Sequence, residues 1–470
     1  MAASLASRRR VAAAAAESLL GALALAGVEA TSAAHALRAH SVDEGLHAAC
    51  DAHAPHVVAL PRSTEEVSRA VQLAAERRVP VVPFGAGTSL EGHIHALAGG
   101  LSVDTSRMDS VMAVHEADLT CTVQAGVRRK ALNEHLRDSG MEFSVDPGAD
   151  ASLGGMAATR ASGTSAWAFG TMRENVLGLS AVLASGEVLR CGGRARKSAA
   201  GYDLRNLLVG SEGTLGVISE LTLRLRPRPA AEAAARCTFA SVGAACDAAA
   251  ALVQSAMPMA RCELLDAASV AAVNAYSGTD FVEAPSLYLE WHGHSTEAAA
   301  ELARASGEVL EAFGCDDFQF ATDAQQRRAL WEARHTAYWA ILRQHPGKRG
   351  WASDACLPVS RMAEFVTQTE EQLQHEGISA PLVGHAADGN VHFLFMVSDD
   401  SKEVRRVEAA NARLVQRALA LGGTCTGEHG LGAGKLKWLE CEHGVEAVQA
   451  MSAIKVRARS ALRGSARMRW

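Results

Sequence analysis

The sequence predicts a protein of mixed helices and strands, in the α/β or α+β class, with about three structural units. Its 470 residues suggest that number, because one domain takes roughly 150 residues. Amphipathic helical segments alternate with short strand-like runs along the chain. The chain also has 41 glycines against 12 prolines, and many of the glycines fall in loops. Glycine is needed where the backbone turns sharply or lies close to a ligand, so these loops are candidates for a binding site.

Composition excludes several classes of protein. Lysine and arginine number 46 and aspartate and glutamate 52, so the net charge of −6 gives no basic surface for nucleic acid. A hydrophobic content of 48% is that of a globular protein rather than a disordered one. No stretch offers about 20 uninterrupted apolar residues, so no transmembrane segment is predicted. The 10 cysteines include no Cys-x-x-Cys pair, which favours free thiols over a disulfide framework.

The N-terminal region, residues 1–50, is predicted to be a targeting or helical segment. Arg8, Arg9 and Arg10 end a stretch without acidic residues, which is the composition of an organelle transit peptide. A frayed basic terminus has the same composition, and both alternatives stay open. The alanine-rich run 11–25 is predicted to be a helix packed on a domain.

Hydrophobic periodicity predicts the elements of a first domain, residues 51–228. A helix over 63–78 begins with the capping pair Ser63 and Glu66 and carries apolar residues at helical spacing. Strands are predicted at 79–84, 101–104, 121–125 and 217–225. Two prolines in 226–229 interrupt helix and sheet alike, and they set the boundary to a second domain, residues 229–455.

The second domain also alternates helices with strands. Helices are predicted at 243–256, 297–313 and 362–375, and a strand at 286–291. The end of the chain, 455–470, is rich in arginine and has little apolar periodicity, so a solvated tail is predicted there.

Three glycine-rich loops of the first domain predict an extended dinucleotide as ligand. The first, 85–92, follows a strand, but its third glycine is misplaced for a Rossmann motif and no strong helix begins after it. The second lies in 146–178 and the third at 210–216. Their glycines and small hydroxyl side chains suit backbone amide contacts to a pyrophosphate. FAD therefore fits this domain better than NAD.

A set of histidines and a carboxylate predicts a catalytic metal site. The Asp-Gly pair at 388–389, between apolar flanks, indicates a two-residue hairpin turn that would place His385 directly opposite His392. Opposed Cβ atoms lie about 4.5–5.5 Å apart, so both imidazoles could bind one ion. Glu428 offers a third ligand, and this set leaves an open position, as in catalytic sites. His429 then remains as a general base.

Several motifs resemble those of the FAD-linked D-2-hydroxyacid dehydrogenases, a family of vanillyl-alcohol-oxidase-like flavoproteins. They lie at 83–92, 145–150, 170–177, 197–202, 209–216 and 423–430. The resemblance implies an α+β fold, with a two-lobed FAD-binding domain of the p-cresol methylhydroxylase/vanillyl-alcohol oxidase (PCMH/VAO) type. It also implies a cap domain with an antiparallel sheet and helices.

The resemblance implies roles for individual residues as well. His385, His392 and Glu428 match the ligands of a divalent metal, zinc or manganese, and the neighbouring His429 matches the base. Arg334 matches the arginine that holds the substrate carboxylate, and Arg349 stands where the family has a substrate-site lysine. The predicted FAD contacts are Pro83, Gly85, Gly87, Thr88, Ser89, Gly92, Pro147, Gly148, Gly154, Gly155, Ala158, Ser162, Gly163, Gly170, Thr171, Glu212, Gly213, Val217 and Ile218.

The implied reaction is the FAD-dependent oxidation of a D-2-hydroxyacid, foremost D-lactate, to the 2-oxoacid. Electrons would pass to cytochrome c or another external acceptor, and the implied compartment is the mitochondrion. A dehydrogenase of D-2-hydroxyglutarate or glycolate is one alternative. A catalytically impaired FAD-binding relative is another, because the basic tail 456–470 departs from the family's C-terminal segment. The oligomeric state stays open.

Overall fold

The structure, a computed structural model, describes residues 2–46 and 52–459. Its described residues form two compact units. Unit 1 takes those within 1–162, 171–227 and 428–470, and unit 2 takes 163–170 and 228–427. The predicted tail from residue 460 onward lies outside the described residues, as does Cys50. The chain therefore returns to unit 1 at Glu428, within one of the motifs that the sequence singles out.

Unit 1 is built on two sheets and a short two-stranded ribbon. Its strands are β1 (Ala30–Thr31), β2 (Val57–Ala59), β3 (Val81–Phe84), β4 (Leu101–Asp104), β5 (Val111–His115), β6 (Thr120–Gln124), β7 (Met141–Glu142), β8 (Val176–Val182), β9 (Val188–Gly192), β10 (Val217–Arg224) and β11 (Arg226–Pro227). The first sheet has the order β1-β2-β4-β3, with β2, β4 and β3 parallel. The second is antiparallel, in the order β5-β6-β10-β8-β9, and β7 pairs with β11.

Unit 2 is built on one antiparallel sheet. Its strands are β12 (Ala231–Thr238), β13 (Met259–Leu265), β14 (Ser286–Gly293), β15 (Asp316–Ala321), β16 (Arg349–Ala352), β17 (Ala355–Cys356), β18 (Leu382–His385) and β19 (Asn390–Val397). Their order is β15-β12-β14-β13-β18-β19-β16, and β17 also pairs with β19. This antiparallel sheet agrees with the cap domain that the family resemblance implies.

The helices are α1 (Ala2–Leu25), α2 (Ala34–Ala39), α3 (Thr64–Glu76), α4 (Arg129–His135), α5 (Leu153–Thr159), α6 (Ala166–Phe169), α7 (Met172–Asn175), α8 (Leu204–Leu208), α9 (Val242–Gln254), α10 (Ala267–Ser277), α11 (Thr296–Glu311), α12 (Ala324–Arg343), α13 (Met362–His375), α14 (Ser401–Ala420) and α15 (Leu439–Arg459). Gly444 interrupts α15 with a φ of 81°. Among the described residues, no helix is both long and apolar enough to cross a membrane.

Helices α1 and α3 pack on the first sheet of unit 1. Leu19 and Leu23 of α1 share a buried core with Val67 and Val71 of α3. The predicted packing of the 11–25 run is therefore confirmed. The start of α3 is confirmed too, since the Ser63 hydroxyl accepts the backbone N–H of the third helical residue at 3.3 Å.

Helices α10 and α12 pack on the sheet of unit 2. Val270 and Val273 of α10 and Trp331 and Ala337 of α12 share a buried core with residues of β13, β14, β18 and β19. This packing fixes α12 against the sheet, and Arg334 lies on α12 between two of the anchoring residues.

The solvated tail predicted to begin at residue 455 is wrong at its start. Helix α15 continues to Arg459, and the Lys455 side chain is buried, with its Nζ donating a hydrogen bond to the Thr214 carbonyl. A buried ammonium group needs such an acceptor, because desolvation without one is costly. The alanine-rich end of α15 has too little contrast between faces for the sequence pattern to reveal this contact.

Glu370 on α13 makes the stability of unit 2 depend on pH. Burial and the charge of Asp266 raise the pKa of Glu370 from 4.5 to about 7. Because this pKa is higher in the folded than in the unfolded chain, stability falls as the pH rises from 4.5 through 7. Glu370→Gln should therefore raise the thermal unfolding midpoint clearly at pH 8 and much less at pH 5. Glu371→Gln, at the exposed next position, is the control, and equal shifts at both pH values would contradict this account.

Candidate active site

Glycines in the first and third loops of unit 1 lie where a side chain would not fit. A Cβ on Gly85, in the first loop, would lie 2.3 Å from Ser152 Oγ in the second. A Cβ on Gly213, in the third loop, would lie 2.8 Å from Pro83 Cγ, and the φ of Gly213 is +69°. Gly85 and Gly213 thus have no room for a side chain, and backbone of this kind can lie close to a ligand that contacts its amides.

The structure places most of the predicted FAD contacts in unit 1. Gly163 and Gly170 are the exceptions, since the segment 163–170 belongs to unit 2. Gly92, Gly154, Ser162, Gly163, Gly213, Val217 and Ile218 are buried, Gly148 is exposed, and the others are half-buried. Their contacts with FAD stay predictions.

Glu212 joins the third glycine loop to the segment that directly follows the Gly-Glu-His-Gly motif, residues 427–430. Its carboxylate accepts the backbone N–H groups of Leu431 at 2.7 Å and Gly432 at 2.9 Å. Burial alone would raise the pKa of Glu212, but His93, whose Nε2 lies 3.2 Å from the carboxylate, and the two N–H groups outweigh it and lower the pKa. Glu212 is therefore an ionised anchor for the segment that follows His429.

Glu428 and His429 both have partners within unit 1. The Ser162 hydroxyl donates a hydrogen bond to Glu428 Oε2 at 2.6 Å. His429 Nδ1 lies 3.9 Å from Glu91 Oε1, and Lys435 Nζ lies 3.2 Å from the same oxygen. The backbone carbonyl of Glu91 also accepts the N–H groups of residues 433 and 434. The segment that carries the predicted base is thus tied to the first glycine loop by backbone and side chain.

Unit 2 carries the predicted metal-binding histidines on the hairpin of β18 and β19. The turn has four residues, 386–389, rather than two, so His385 lies opposite Asn390 and Val383 lies opposite His392. The predicted register is therefore wrong by two residues. Because side chains alternate along a strand with a period of two, both imidazoles still lie on one face of the sheet, with ring centroids 5.6 Å apart.

Glu263 on β13 links two of the predicted site residues. Its Oε1 accepts a hydrogen bond from His385 Nδ1 at 2.8 Å, and its Oε2 lies 2.5 Å from Arg334 Nη2. Burial alone would raise the pKa of Glu263, but interactions with His385 and Arg334 outweigh it and lower the pKa. A buried, ionised carboxylate therefore connects the predicted substrate-binding arginine with a predicted metal ligand.

His392 is held by the segment that leads into β17. Its Nδ1 donates a hydrogen bond to the Ser353 carbonyl at 2.9 Å and lies 3.9 Å from Asp354 Oδ1. Asp354 is 1% exposed, and its Oδ2 accepts a hydrogen bond from the Thr426 hydroxyl at 2.6 Å. Asp354 thus lies near His392 and also binds Thr426, the residue before the Gly-Glu-His-Gly motif.

The donors on this hairpin fit a divalent metal. A carboxylate accepts from Nδ1 of His385 and a carbonyl accepts from Nδ1 of His392, so Nε2 is the ring nitrogen that can act as a ligand. Metal-binding histidines commonly have such a partner on the other nitrogen. Glu428, the third predicted ligand, follows directly after Gly427, the last residue of unit 2. Two imidazoles and a carboxylate suit zinc or manganese, and the ligand set stays a prediction.

Arg349 has different surroundings from Arg334. It lies on β16, and its Nη2 forms an ion pair at 3.0 Å with the exposed carboxylate of Asp399. Arg334, in contrast, has a side chain that is only 11% exposed and a fully buried partner. Unit 2 thus holds Arg334 rigidly, and a role of Arg349 in substrate binding stays a prediction.

Glu263 and Asp354 were not among the site residues predicted from the sequence. Glu263 interrupts a strand that is otherwise buried and mostly apolar, and a carboxylate in such a run is a signal because buried charges need partners. Asp354 directly precedes β17, a two-residue strand that no pattern in the sequence indicates. The partners of both residues come from distant parts of the chain.

Comparison with known proteins decides the family. Residues 55–192 match the family described as FAD binding domain, and residues 228–457 match the FAD linked oxidases, C-terminal domain. The chain belongs to the FAD-linked oxidases. It is an FAD-dependent oxidoreductase, and FAD is the ligand that the glycine loops predict.

Curated relatives and a solved structure extend this result over most of the chain. The probable mitochondrial D-lactate dehydrogenase of Danio rerio is 44% identical, over 91% of this chain and 86% of the relative. The mitochondrial D-lactate dehydrogenase [cytochrome] of Arabidopsis thaliana is 43% identical, over 85% of this chain and 71% of the relative. The crystal structure of p-cresol methylhydroxylase with substrate bound has a TM-score of 0.72 at 14% identity, over 95% of this chain and 94% of that chain. The predicted α+β fold of the PCMH/VAO type is confirmed.

The close approach at Gly213 should matter for FAD retention. Gly213→Ala places a side chain at a positive φ, which costs about 1–2 kcal/mol, and also drives Cβ into the Pro83 ring. Gly140→Ala is a matched control, because Gly140 has a φ of +72° but nothing within 4 Å of its Cβ position. We expect Gly213→Ala to lose more unfolding free energy in urea, and to copurify with less FAD per chain, than Gly140→Ala. Equal losses of both quantities in the two variants would show that the close approach of Gly213 to Pro83 is unimportant for FAD retention.

Proposed function

We propose that this chain oxidises D-lactate to pyruvate, with FAD as its cofactor and cytochrome c as the external electron acceptor. The observation that carries the proposal is the identity of 43% and 44% to two relatives named D-lactate dehydrogenase, over most of each chain. The Arabidopsis name includes cytochrome, and both names include mitochondrial. We extend the acceptor and the compartment to this chain on that ground.

Arg334 would bind the carboxylate of the substrate. A guanidinium group can donate two parallel hydrogen bonds to a carboxylate, which fixes its orientation as well as its position. The ion pair with Glu263 restricts the side chain of Arg334. Substrate binding therefore costs little additional conformational entropy of that side chain. Arg349 would supply a second positive charge for the same carboxylate.

His429 would accept the proton of the substrate hydroxyl. Imidazole suits this task at neutral pH, because its usual pKa of about 6.5 lies close to the pH of the reaction. Glu212 fixes the segment directly after His429, and Glu91 lies beside the imidazole. The segment that follows His429 is therefore anchored by Glu212 of the third glycine loop, and Glu91 of the first loop lies near the imidazole.

The oxidation removes a proton from the hydroxyl and a hydrogen with two electrons from Cα. Bound FAD supplies the two-electron acceptor, and a divalent ion supplies a positive charge that favours loss of the hydroxyl proton. The glycine loops of unit 1 would hold FAD by close backbone approach. His385, His392 and Glu428 would hold the ion, zinc or manganese.

Initial rates on a panel of substrates test this proposal. FAD-loaded protein is assayed with an artificial electron acceptor on D-lactate, L-lactate, D-2-hydroxyglutarate and glycolate. We expect kcat/KM to be highest for D-lactate and at least about tenfold lower for each of the others, a difference of about 1.4 kcal/mol in transition-state binding. A higher value for D-2-hydroxyglutarate or glycolate would assign the chain to that substrate. Full FAD content without turnover on any of the four would indicate an impaired relative.

A further inference from the structure

Glu263 has one partner for each of its two carboxylate oxygens, and the two partners come from different elements. His385, at the end of β18, is its direct cross-strand neighbour, and its Nδ1 lies 2.8 Å from Oε1. Arg334, on α12, lies over the sheet, and its Nη2 lies 2.5 Å from Oε2. Glu263 is 0% exposed, so water does not replace either partner.

This geometry lets Glu263 fix the distance between its two partners in addition to stabilising the fold. A carboxylate is a short, planar group, so a strand that fixes it also fixes the distance between the groups bound to its two oxygens. One of those groups is the guanidinium proposed to bind the substrate carboxylate. The other is an imidazole whose remaining nitrogen is proposed to bind the divalent ion.

We infer that Glu263 is a positioning residue that sets Arg334 and His385 at a fixed separation, so that substrate affinity and divalent-ion affinity depend on the same carboxylate. The inference rests on the proposed function, since it uses the roles assigned there to the two partners. It adds a residue that the sequence motifs do not include.

Unit 2 contains a second buried carboxylate of the same design, which serves as an internal control. Glu290, on the neighbouring strand β14, is 4% exposed. Its Oε2 lies 3.2 Å from Arg261 Nη1, and its Oε1 lies 3.0 Å from His292 Nε2. Neither Arg261 nor His292 belongs to the predicted site. A loss that follows from disturbing any buried carboxylate between an arginine and a histidine should therefore also appear when Glu290 is changed.

The test compares Glu263→Gln with Glu290→Gln in the FAD-loaded full chain. An amide has no negative charge and only one acceptor oxygen. In Glu263→Gln, one of Arg334 and His385 therefore faces the amide NH2 group, and the other keeps only a weaker, neutral acceptor, so both are held less firmly. We expect the KM for D-lactate to rise at least about tenfold. We also expect zinc affinity, measured by competition with a chelating indicator, to fall about 10- to 100-fold, as is typical for loss of a partner of a metal-binding histidine. Glu290→Gln should leave both quantities within about twofold of wild type.

Three outcomes would overturn the inference. They are retention of both quantities within about twofold in Glu263→Gln, a loss of only one of the two, or equal losses in Glu290→Gln. If Glu263→Gln does not fold, Glu263→Asp replaces it. This variant keeps the charge but shortens the side chain, and we expect smaller losses of both quantities, whereas wild-type values of both would overturn the inference.

Zinc affinity separates this inference from the proposed function. Zinc affinity is measured without turnover. A protein inactive on the whole substrate panel would refute the proposed function. The zinc measurement on Glu263→Gln would still decide whether Glu263 positions His385 for metal binding. Loss of zinc affinity in that variant, with no loss in Glu290→Gln, would support the contact with His385 even then.

Discussion

His429→Ala should reduce the rate of flavin reduction by D-lactate about 10²- to 10⁴-fold, the range expected for loss of a general base. The reason is that the hydroxyl proton then has no positioned acceptor when the electrons leave Cα. FAD content should be unchanged, because the side chain removed is not one of the predicted FAD contacts. Anaerobic single-turnover reduction followed by flavin absorbance measures this step separately from reoxidation by the external acceptor.

His443→Ala is the matched control for this variant. His443 lies on α15 in the same unit, and its side chain is 43% exposed, with a neighbouring carboxylate at 3.5 Å. Its removal should leave the rate of reduction within about twofold of wild type. Reduction of His429→Ala at the wild-type rate, with normal FAD content, would remove His429 from the mechanism.

Arg334→Lys should lower kcat/KM for D-lactate about 10- to 150-fold, which corresponds to about 1.5–3 kcal/mol for a charged hydrogen bond. Lysine keeps the charge, so Glu263 still has a cationic partner and the fold should be retained. A single ammonium group cannot reproduce the two parallel hydrogen bonds of a guanidinium group to the substrate carboxylate. The loss should appear mainly in KM, since the carboxylate is held in the bound substrate as well as in the transition state.

Arg261→Lys controls for the change of a partly buried arginine in unit 2. Arg261 forms an ion pair with Glu290 at 3.2 Å, on the strand that also carries Glu263. It is expected to change kcat/KM less than about twofold. If Arg261→Lys lost as much as Arg334→Lys, the effect would be one of general stability, and the substrate-binding role of Arg334 would fail.

The hairpin of β18 and β19 shows which features of the site a local sequence pattern can predict. The Asp-Gly pair correctly indicates that the chain reverses between His385 and His392, but a four-residue turn replaces the expected two. The reason lies outside the hairpin: β17 pairs with the start of β19, and the Leu357 N–H donates to the Gly389 carbonyl. A Cβ on Gly389 would lie 2.2 Å from the Leu357 carbonyl, so this tertiary contact fixes the turn and the register.

Three helices of unit 2, α9, α11 and α13, were predictable from the sequence for a physical reason that does not apply to the buried carboxylates. Helix α13 and the predicted helix 362–375 have the same bounds, because the apolar residues on its buried face recur with helical spacing. Glu263 and His385 are 122 residues apart, and their contact depends on the pairing of β13 with β18. No local pattern contains that pairing, so the anchors of the site residues become visible only in the fold.

The most direct test of the account is the absorbance spectrum of the purified chain before and after D-lactate is added without oxygen. We predict the absorbance bands of bound oxidised flavin at the start, and their bleaching within the mixing time or seconds after it, while L-lactate leaves them unchanged. Pyruvate should appear in an amount equal to the flavin reduced. A chain that stays colourless after incubation with FAD, or a bound flavin that D-lactate does not bleach, would contradict the central claim that this protein is an FAD-dependent D-lactate dehydrogenase.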